Sequence, residues 1–237
     1  MISLIISLAL FQRQFQPSVR TTPTTVPKPI LAVVYTIGWF DGNVYALQAN
    51  VGSELWHAPI ASAHGDEEAA LVDGTLFFGS DNHNMYAVST TTHSVLWSFK
   101  TDGILNSSPS IVNNVAYVGS WDGYMYALNA QNGSQKWRYQ TGGQIHSSPV
   151  IVDGLAIFGS TDGNVYALHT NDGSLGWIYP TGGPVTASPV VVNGSVYIGS
   201  GDHNVYALSV SNGTKLWSFK TEKEIYLVQL GANPFRV

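Results

Sequence analysis

Asn106, His146, Thr186 and Tyr226 follow one another at steps of 40 residues, and one more step back reaches Asp66. An amide, an imidazole, a hydroxyl, a phenol and a carboxylate are groups with which proteins hold a cation or a small polar ligand. Asp66 lies in the run His64-Gly65-Asp66-Glu67-Glu68, a connection one residue longer than its siblings. Asp66, His146 and Asn106 are therefore the candidate ligand set, with Thr186 and Tyr226 completing the circle. The competing reading is a wet channel mouth whose polar groups hold only water. Phe40 and Trp121 form a second candidate surface. Both stand beside Asp-Gly turns, where an exposed large aromatic suggests contact with a sugar or a protein. The alternative is local packing over a neighbouring element.

Enzyme chemistry is poorly served. A glycosidase needs two carboxylates about 5–10 Å apart, usually from different elements, whereas the acids here crowd into one connection. There is no Gly-x-Ser-x-Gly, no His-Glu-x-x-His and no phosphate-binding loop. The chain has no cysteine, which excludes disulfides, thiolate metal sites and a catalytic thiol. A net charge of −5 without any basic cluster argues against nucleic acid.

What places residues at a 40-residue step is an internal repeat. Trp56, Trp97, Trp137, Trp177 and Trp217 are spaced 41, 40, 40 and 40 apart. Tyr45, Tyr86, Tyr126, Tyr166 and Tyr206 keep the same period, as do Gly38, Gly79, Gly119, Gly159 and Gly199. Within a unit, short apolar runs alternate with turn signals such as Asp153-Gly154, Asn193-Gly194 and Asn113-Asn114. The unit beginning at Ser147 reads as strands over 147–152, 155–159, 164–169 and 175–180. No sustained 3.6-residue apolar period predicts helix. Four antiparallel strands per 40 residues predict an all-β chain: a β-propeller of about five four-stranded blades. The five tryptophans are then structural, each a flat ring filling the gap between blades, its indole N–H bonded to a nearby carbonyl. Asp41, Asp122, Asp162 and Asp202 read as turn-makers, and His83 and His203 as turn variants.

The first unit offers one strand, Ile30 to Ile37, where later units offer two. The C-terminal run Ile225–Leu230 sits where a sixth unit would begin. The simplest reading sets that run beside Val33–Ile37 and closes the ring. The competing reading is a truncated larger propeller.

The pattern Gly-Ser-x-Asp-Gly-x-x-Tyr-Ala-Leu, then Gly-x-x-x-Trp, then Thr-Gly-Gly-x-x-x-Ser-Ser-Pro, resembles the repeats of the pyrroloquinoline-quinone-like propellers over roughly residues 33 to 230. Tyr126-Ala127-Leu128 through Gly133 and Trp137 matches best. The resemblance implies either a cofactor-free scaffold or a quinoprotein dehydrogenase. Two departures qualify it. The Asp that the family's tryptophan-docking motif carries two residues after the Ala is here Gln48, Ser89, Asn129, His169 or Ser209. The glycine four before the Trp, kept as Gly52, Gly133, Gly173 and Gly213, is His93 in the second unit. The catalytic Asp, calcium-binding acid and stacking aromatics of the dehydrogenases map onto no residues of this chain.

Charged residues are only 11% of the chain, so Ser, Thr, Asn and Gly must furnish much of the surface. Residues 1–29 divide into an apolar run, Met1–Phe11, and a stiff Thr/Pro linker. The run fits a signal-peptide core, though no basic residue precedes it. Export is the expectation, with an unstructured tail as the alternative, and any membrane contact would run through this segment. Residues 30–237 are expected to form one propeller domain. The function expected is a non-catalytic scaffold or ligand- and protein-binding module. Its partner would be another protein or a small polar ligand, with neither cofactor nor metal. The alternatives are a fragment of a quinone-dependent dehydrogenase, with quinone and calcium, and a small sugar-binding propeller.

Overall fold

The computed structural model describes residues 32–38, 41–60 and 69–225. Every element is a strand and every pairing is antiparallel. Blade 1 holds β1 (Val33–Ile37), β2 (Asn43–Gln48) and β3 (Glu54–Pro59). Blade 2 holds β4 (Ala70–Val72), β5 (Thr75–Phe78), β6 (Asn84–Ser89) and β7 (Ser94–Lys100). Blade 3 runs through β8 (Ser110–Val112), β9 (Val115–Gly119), β10 (Tyr124–Asn129) and β11 (Gln135–Gln140). Blade 4 runs through β12 (Val150–Val152), β13 (Leu155–Gly159), β14 (Asn164–His169) and β15 (Leu175–Pro180). Blade 5 comprises β16 (Val190–Val192), β17 (Ser195–Gly199), β18 (Asn204–Ser209) and β19 (Lys215–Lys220). Each strand lies beside its neighbours in sequence, and among the described residues blade 1 has one strand fewer, as its unbroken first segment predicts.

Local chemistry accounts for these elements. The hairpins joining the first two strands turn on Asp73-Gly74, Asn113-Asn114, Asp153-Gly154 and Asn193-Gly194, all with positive φ at both positions. That is the twist a two-residue hairpin needs. The innermost strand of blade 4 begins at Val150, not at residue 147. Ser147–Pro149 lie outside the ladder, and Pro149 has no N–H to give it. Instead, Ser148 N–H donates to Ser188 Oγ at 2.9 Å, and Ser108 N–H donates to Ser148 Oγ at 2.9 Å. These bonds tie neighbouring blades at their inner edges.

The core lies between blades rather than within any one of them. The middle strands β9 and β13 are buried at every position, because a blade on either side covers both faces. Four apolar clusters occupy the interfaces of blades 1 and 2, 2 and 3, 3 and 4, and 4 and 5. Within each outer pairing the register shifts just after the Ala that faces the Trp, for instance between Ala127 and Leu128. Such a bulge re-aims the side chain. Trp97, Trp137 and Trp177 thereby reach the next blade. Their indole N–H groups donate to the carbonyls of Ala130, Thr170 and Val210 at 2.9, 3.0 and 2.8 Å. The repeat glycine lies under each ring. A Cβ on Gly133 would stand 2.7 Å from Trp97 Cε3, and its φ is +71°.

Five blades with four interfaces form an arc among the described residues. Trp217 is 46% exposed, against 7–8% for Trp97, Trp137 and Trp177. The expected closing strand after Ile225, with Tyr226, falls outside the described residues.

Candidate functional site

The candidate site is built on the connections that lead from an outer strand to the next inner one. Thr-Gly-Gly opens two of the three. Thr141 Oγ1 donates to the Gly123 and Gly143 carbonyls at 3.0 and 2.8 Å, and Thr101 and Thr181 repeat the arrangement. Four residues on, Leu105, Ile145 or Val185 plugs against Gly79, Gly119 or Gly159. The fit is so close that a Cβ on Gly119 would lie 2.3 Å from Ile145 Cγ2. The plug fixes the residue that follows it: Asn106, His146 or Thr186. These three are half-buried at equivalent positions of successive blades. No hydrogen bond joins them to one another among the described residues. Asp66, Tyr226 and Phe40 lie outside those residues, so the full circle is not described.

The structure does bring together two residues from different candidate sets. Trp121 and His146 stack with ring centroids 4.6 Å apart and planes 28° from parallel. Trp121 N–H also donates to the Ile104 carbonyl at 2.9 Å, which pins the loop. The indole Nε1 is shielded from solvent yet has no partner, and neither has the buried Ser147 Oγ. One blade earlier, Ser107 Oγ donates to Gly119 O at 3.0 Å and accepts its N–H at 2.8 Å. Burial holds the His146 pKa below its ordinary value, so the ring is neutral at pH 7. His146 Nε2 lies 3.0 Å from Gln144 Oε1. That pairing assigns the ring proton to Nε2 and leaves Nδ1 as an acceptor. A shallow depression of about 230 Å³ adjoins this stack, lined in part by Trp121, Asp122, Thr141, Gly142, Gly143 and Gln144. A larger one, about 510 Å³, lies between the hairpins of blades 2 and 3. Among the described residues that line it, only Asp73 brings a titratable side chain.

The turn aspartates do more than make turns. Asp162 Oδ1 accepts the Asn164 N–H at 3.0 Å, while Oδ2 accepts the Tyr166 hydroxyl at 2.6 Å. Oδ2 also accepts Gly142 N–H of the preceding blade at 2.8 Å. Asp202 repeats this with Tyr206 and Gly182, and Asp122 with Tyr126 and Asp102 N–H. Burial pushes the Asp162 and Asp202 pKa values up, but these bonds outweigh it and hold both below the ordinary carboxylate range. Burial, then the adjacent carboxylate, drives the Tyr126, Tyr166 and Tyr206 hydroxyls well above theirs. In blade 2, Asn82 takes the Asp position and its Nδ2 donates to Tyr86 Oη at 2.8 Å. This clip between blades was missed in the sequence. The signal for it was a Tyr four residues after each Asp, on the same period.

A quinone cofactor with its calcium does not fit the described residues. They contain no group of three His, Asp or Glu side chains placed to hold an ion. Trp121, the aromatic at this mouth, is already covered by His146.

The family described as outer membrane protein assembly factor BamB matches residues 40–233. A comparison with curated protein sequences finds no match. Among solved structures, the crystal structure of BamB from Moraxella catarrhalis is similar with a TM-score of 0.68 and 19% identity, over 82% of this chain and 62% of that one. The computationally designed Ika8 protein gives 0.75 and 15%, over 85% and 63%. Quinohemoprotein alcohol dehydrogenase ADHIIG from Pseudomonas putida HK5 gives 0.68 and 16%, over 81% and 41%. The chain thus spans less than two thirds of the length of these structures.

Proposed function

Because the chain belongs to the family described as outer membrane protein assembly factor BamB, we propose that it is a non-catalytic propeller that binds a protein partner at the connections around Trp121. The single observation that carries this reading is the Trp121–His146 stack, a rigid aromatic platform on a loop, flanked by a shallow depression. Rigid aromatics with a polar atom in reach are what protein contacts favour. The carboxylates support it too. Asp122, Asp162 and Asp202 are each committed to a tyrosine hydroxyl and a backbone N–H, which leaves none of the three poised as a base or nucleophile. Export of the chain, through its apolar first residues, belongs to the same proposal, as does a single domain over residues 30–237. Asn106, His146 and Thr186 then serve the edge of that contact surface.

The test is retention of a partner from native extract on the immobilised full chain, with the partner identified by mass spectrometry. Trp121→Ala is expected to lose it and Trp121→Phe to keep most of it, with unchanged circular dichroism in both. Equal retention by the Ala variant would remove the platform from the contact. A stoichiometric absorbance band on adding pyrroloquinoline quinone and calcium would replace the reading with an oxidoreductase.

A further inference from the structure

At the groove between the hairpins of blades 2 and 3 the repeat departs from its pattern on both walls at once. Between blades 3 and 4, Tyr117 Oη donates to the Thr170 carbonyl at 3.4 Å, and Thr170 Oγ1 donates to the Gly154 carbonyl at 3.1 Å. Between blades 4 and 5 the same two positions hold Ile157 and Val210, both apolar and buried. Between blades 2 and 3 they hold Phe77 and Ala130. The hydroxyl is gone from one wall, and the other carries the smallest side chain that any of these interfaces places there. The space left is about 510 Å³, with Phe77, Ile111 and Ala130 on its apolar side. Sites for small molecules span about 300–1,000 Å³.

The rim carries polar groups that the blades themselves do not use. The hairpin position held by Gly74, Gly154 and Gly194 in the sibling blades is Asn114 here, at a φ of +61°. A side chain at that angle costs backbone energy that glycine avoids. No hydrogen bond of the Asn114 amide recovers it among the described residues. Asp73, Asn113 and Gln131 line the same groove, and their side chains likewise form no hydrogen bond among the described residues. The main chain adds an acceptor. The Gly74 and Gly154 carbonyls each accept a backbone N–H and a threonine hydroxyl. The Asn114 carbonyl accepts only the Ala130 N–H, at 3.0 Å, among the described residues.

We propose that this groove binds one neutral saccharide of one or two rings. Amides that donate and accept side by side, with a carboxylate that accepts, match the adjacent hydroxyls of a sugar. The apolar side takes the C–H face of the ring. The lining holds no Lys, Arg or His, so an anionic ligand such as phosphate meets no positive charge and faces the Asp73 carboxylate. No group of three His, Asp or Glu side chains stands there for a metal ion. The groove lies at the hairpin that opens β9, and Trp121 lies just past the other end of that strand. The site is therefore separate from the proposed partner contact.

Calorimetric titration of the full chain tests this, with glucose, galactose, mannose, N-acetylglucosamine, maltose, lactose, chitobiose and glucuronate as probes. At least one neutral sugar is expected to bind, with one site per chain. Ala130→Thr restores the residue of blades 2 and 4 and refills the groove. It is expected to weaken that binding by roughly tenfold or more. Asn114→Gly restores the sibling hairpin and is expected to weaken it by roughly threefold to tenfold, the worth of one hydrogen bond. Both variants take the residue that sibling blades already carry, and unchanged circular dichroism is expected of each. A panel in which no neutral sugar binds at millimolar concentration overturns the proposal. So do several equivalent sites per chain, glucuronate binding more tightly than every neutral sugar, or two variants that bind as the parent does.

Discussion

At the scale of single residues, the aspartate of each turn is the most informative side chain, because it joins its own turn, its own tyrosine and the preceding blade. Asp162 is negatively charged in the fold and held below its ordinary pKa of 3.8. A carboxyl lowered in this way contributes stability above its unfolded pKa, about 4, and loses it as pH falls through the folded value. Asp162→Asn is therefore expected to lower the urea midpoint at pH 7, with the gap from the parent narrowing below about pH 4. A gap that stays constant down to pH 2 would mean the carboxylate's charge is irrelevant to the clip. His146 acts in the same direction. Its folded pKa is depressed, so the unfolded chain binds more protons below about pH 6.5. His146→Gln is expected to flatten the loss of stability between pH 7 and 5, read from thermal melts. Tryptophans at the interface differ from the one at the loop. Trp137→Ala should cost about 3–5 kcal/mol, since it empties a packed gap. The cost at the half-buried Trp121 should be visibly smaller. Equal losses in chemical denaturation would erase the distinction between packing and contact tryptophans.

At the scale of elements, the outer hairpin and its glycine decide how closely blades approach. Gly133 meets the Trp97 ring with no room for a methyl group and at a positive φ. Gly133→Ala is therefore expected to destabilise by about 1–3 kcal/mol through overpacking and backbone strain. His93 shows how the second unit avoids that clash. It keeps the positive φ, and Trp56 stacks on its imidazole at 4.4 Å and 18°. The inner hairpins give the opposite lesson. Asn114 holds a φ of +61° where the sibling hairpins have glycine. Asn114→Gly should cost nothing there and gain up to about 1 kcal/mol in thermal denaturation. A destabilised variant would show that the Asn114 side chain contributes more than its backbone angle.

At the scale of the whole molecule, a repeat with its core between blades gains stability with each neighbour it acquires. Among the described residues the end blades have one covered face each. Blade 1, with three described strands, and blade 5, with Trp217 uncovered, are the elements expected to exchange amide hydrogens first.

The repeat alone determined much of this. The period of Trp, Tyr and Gly specifies blades, and Asn-Gly and Asp-Gly pairs specify hairpins, because both depend on steric rules that act within a few residues. The strands 155–159, 164–169 and 175–180 were legible to the residue for that reason. Two kinds of fact came only with the tertiary structure. The stack of Trp121 on His146 joins residues that belong to different sequence patterns, so no spacing announces it. The uncovered faces of blades 1 and 5 depend on the turn between blades. That turn is the sum of packing angles at the interfaces between blades, and propellers of different blade number are built from similar four-stranded units. A repeated sequence fixes what each blade offers its neighbour, while the accumulated curvature decides which blade the last one meets.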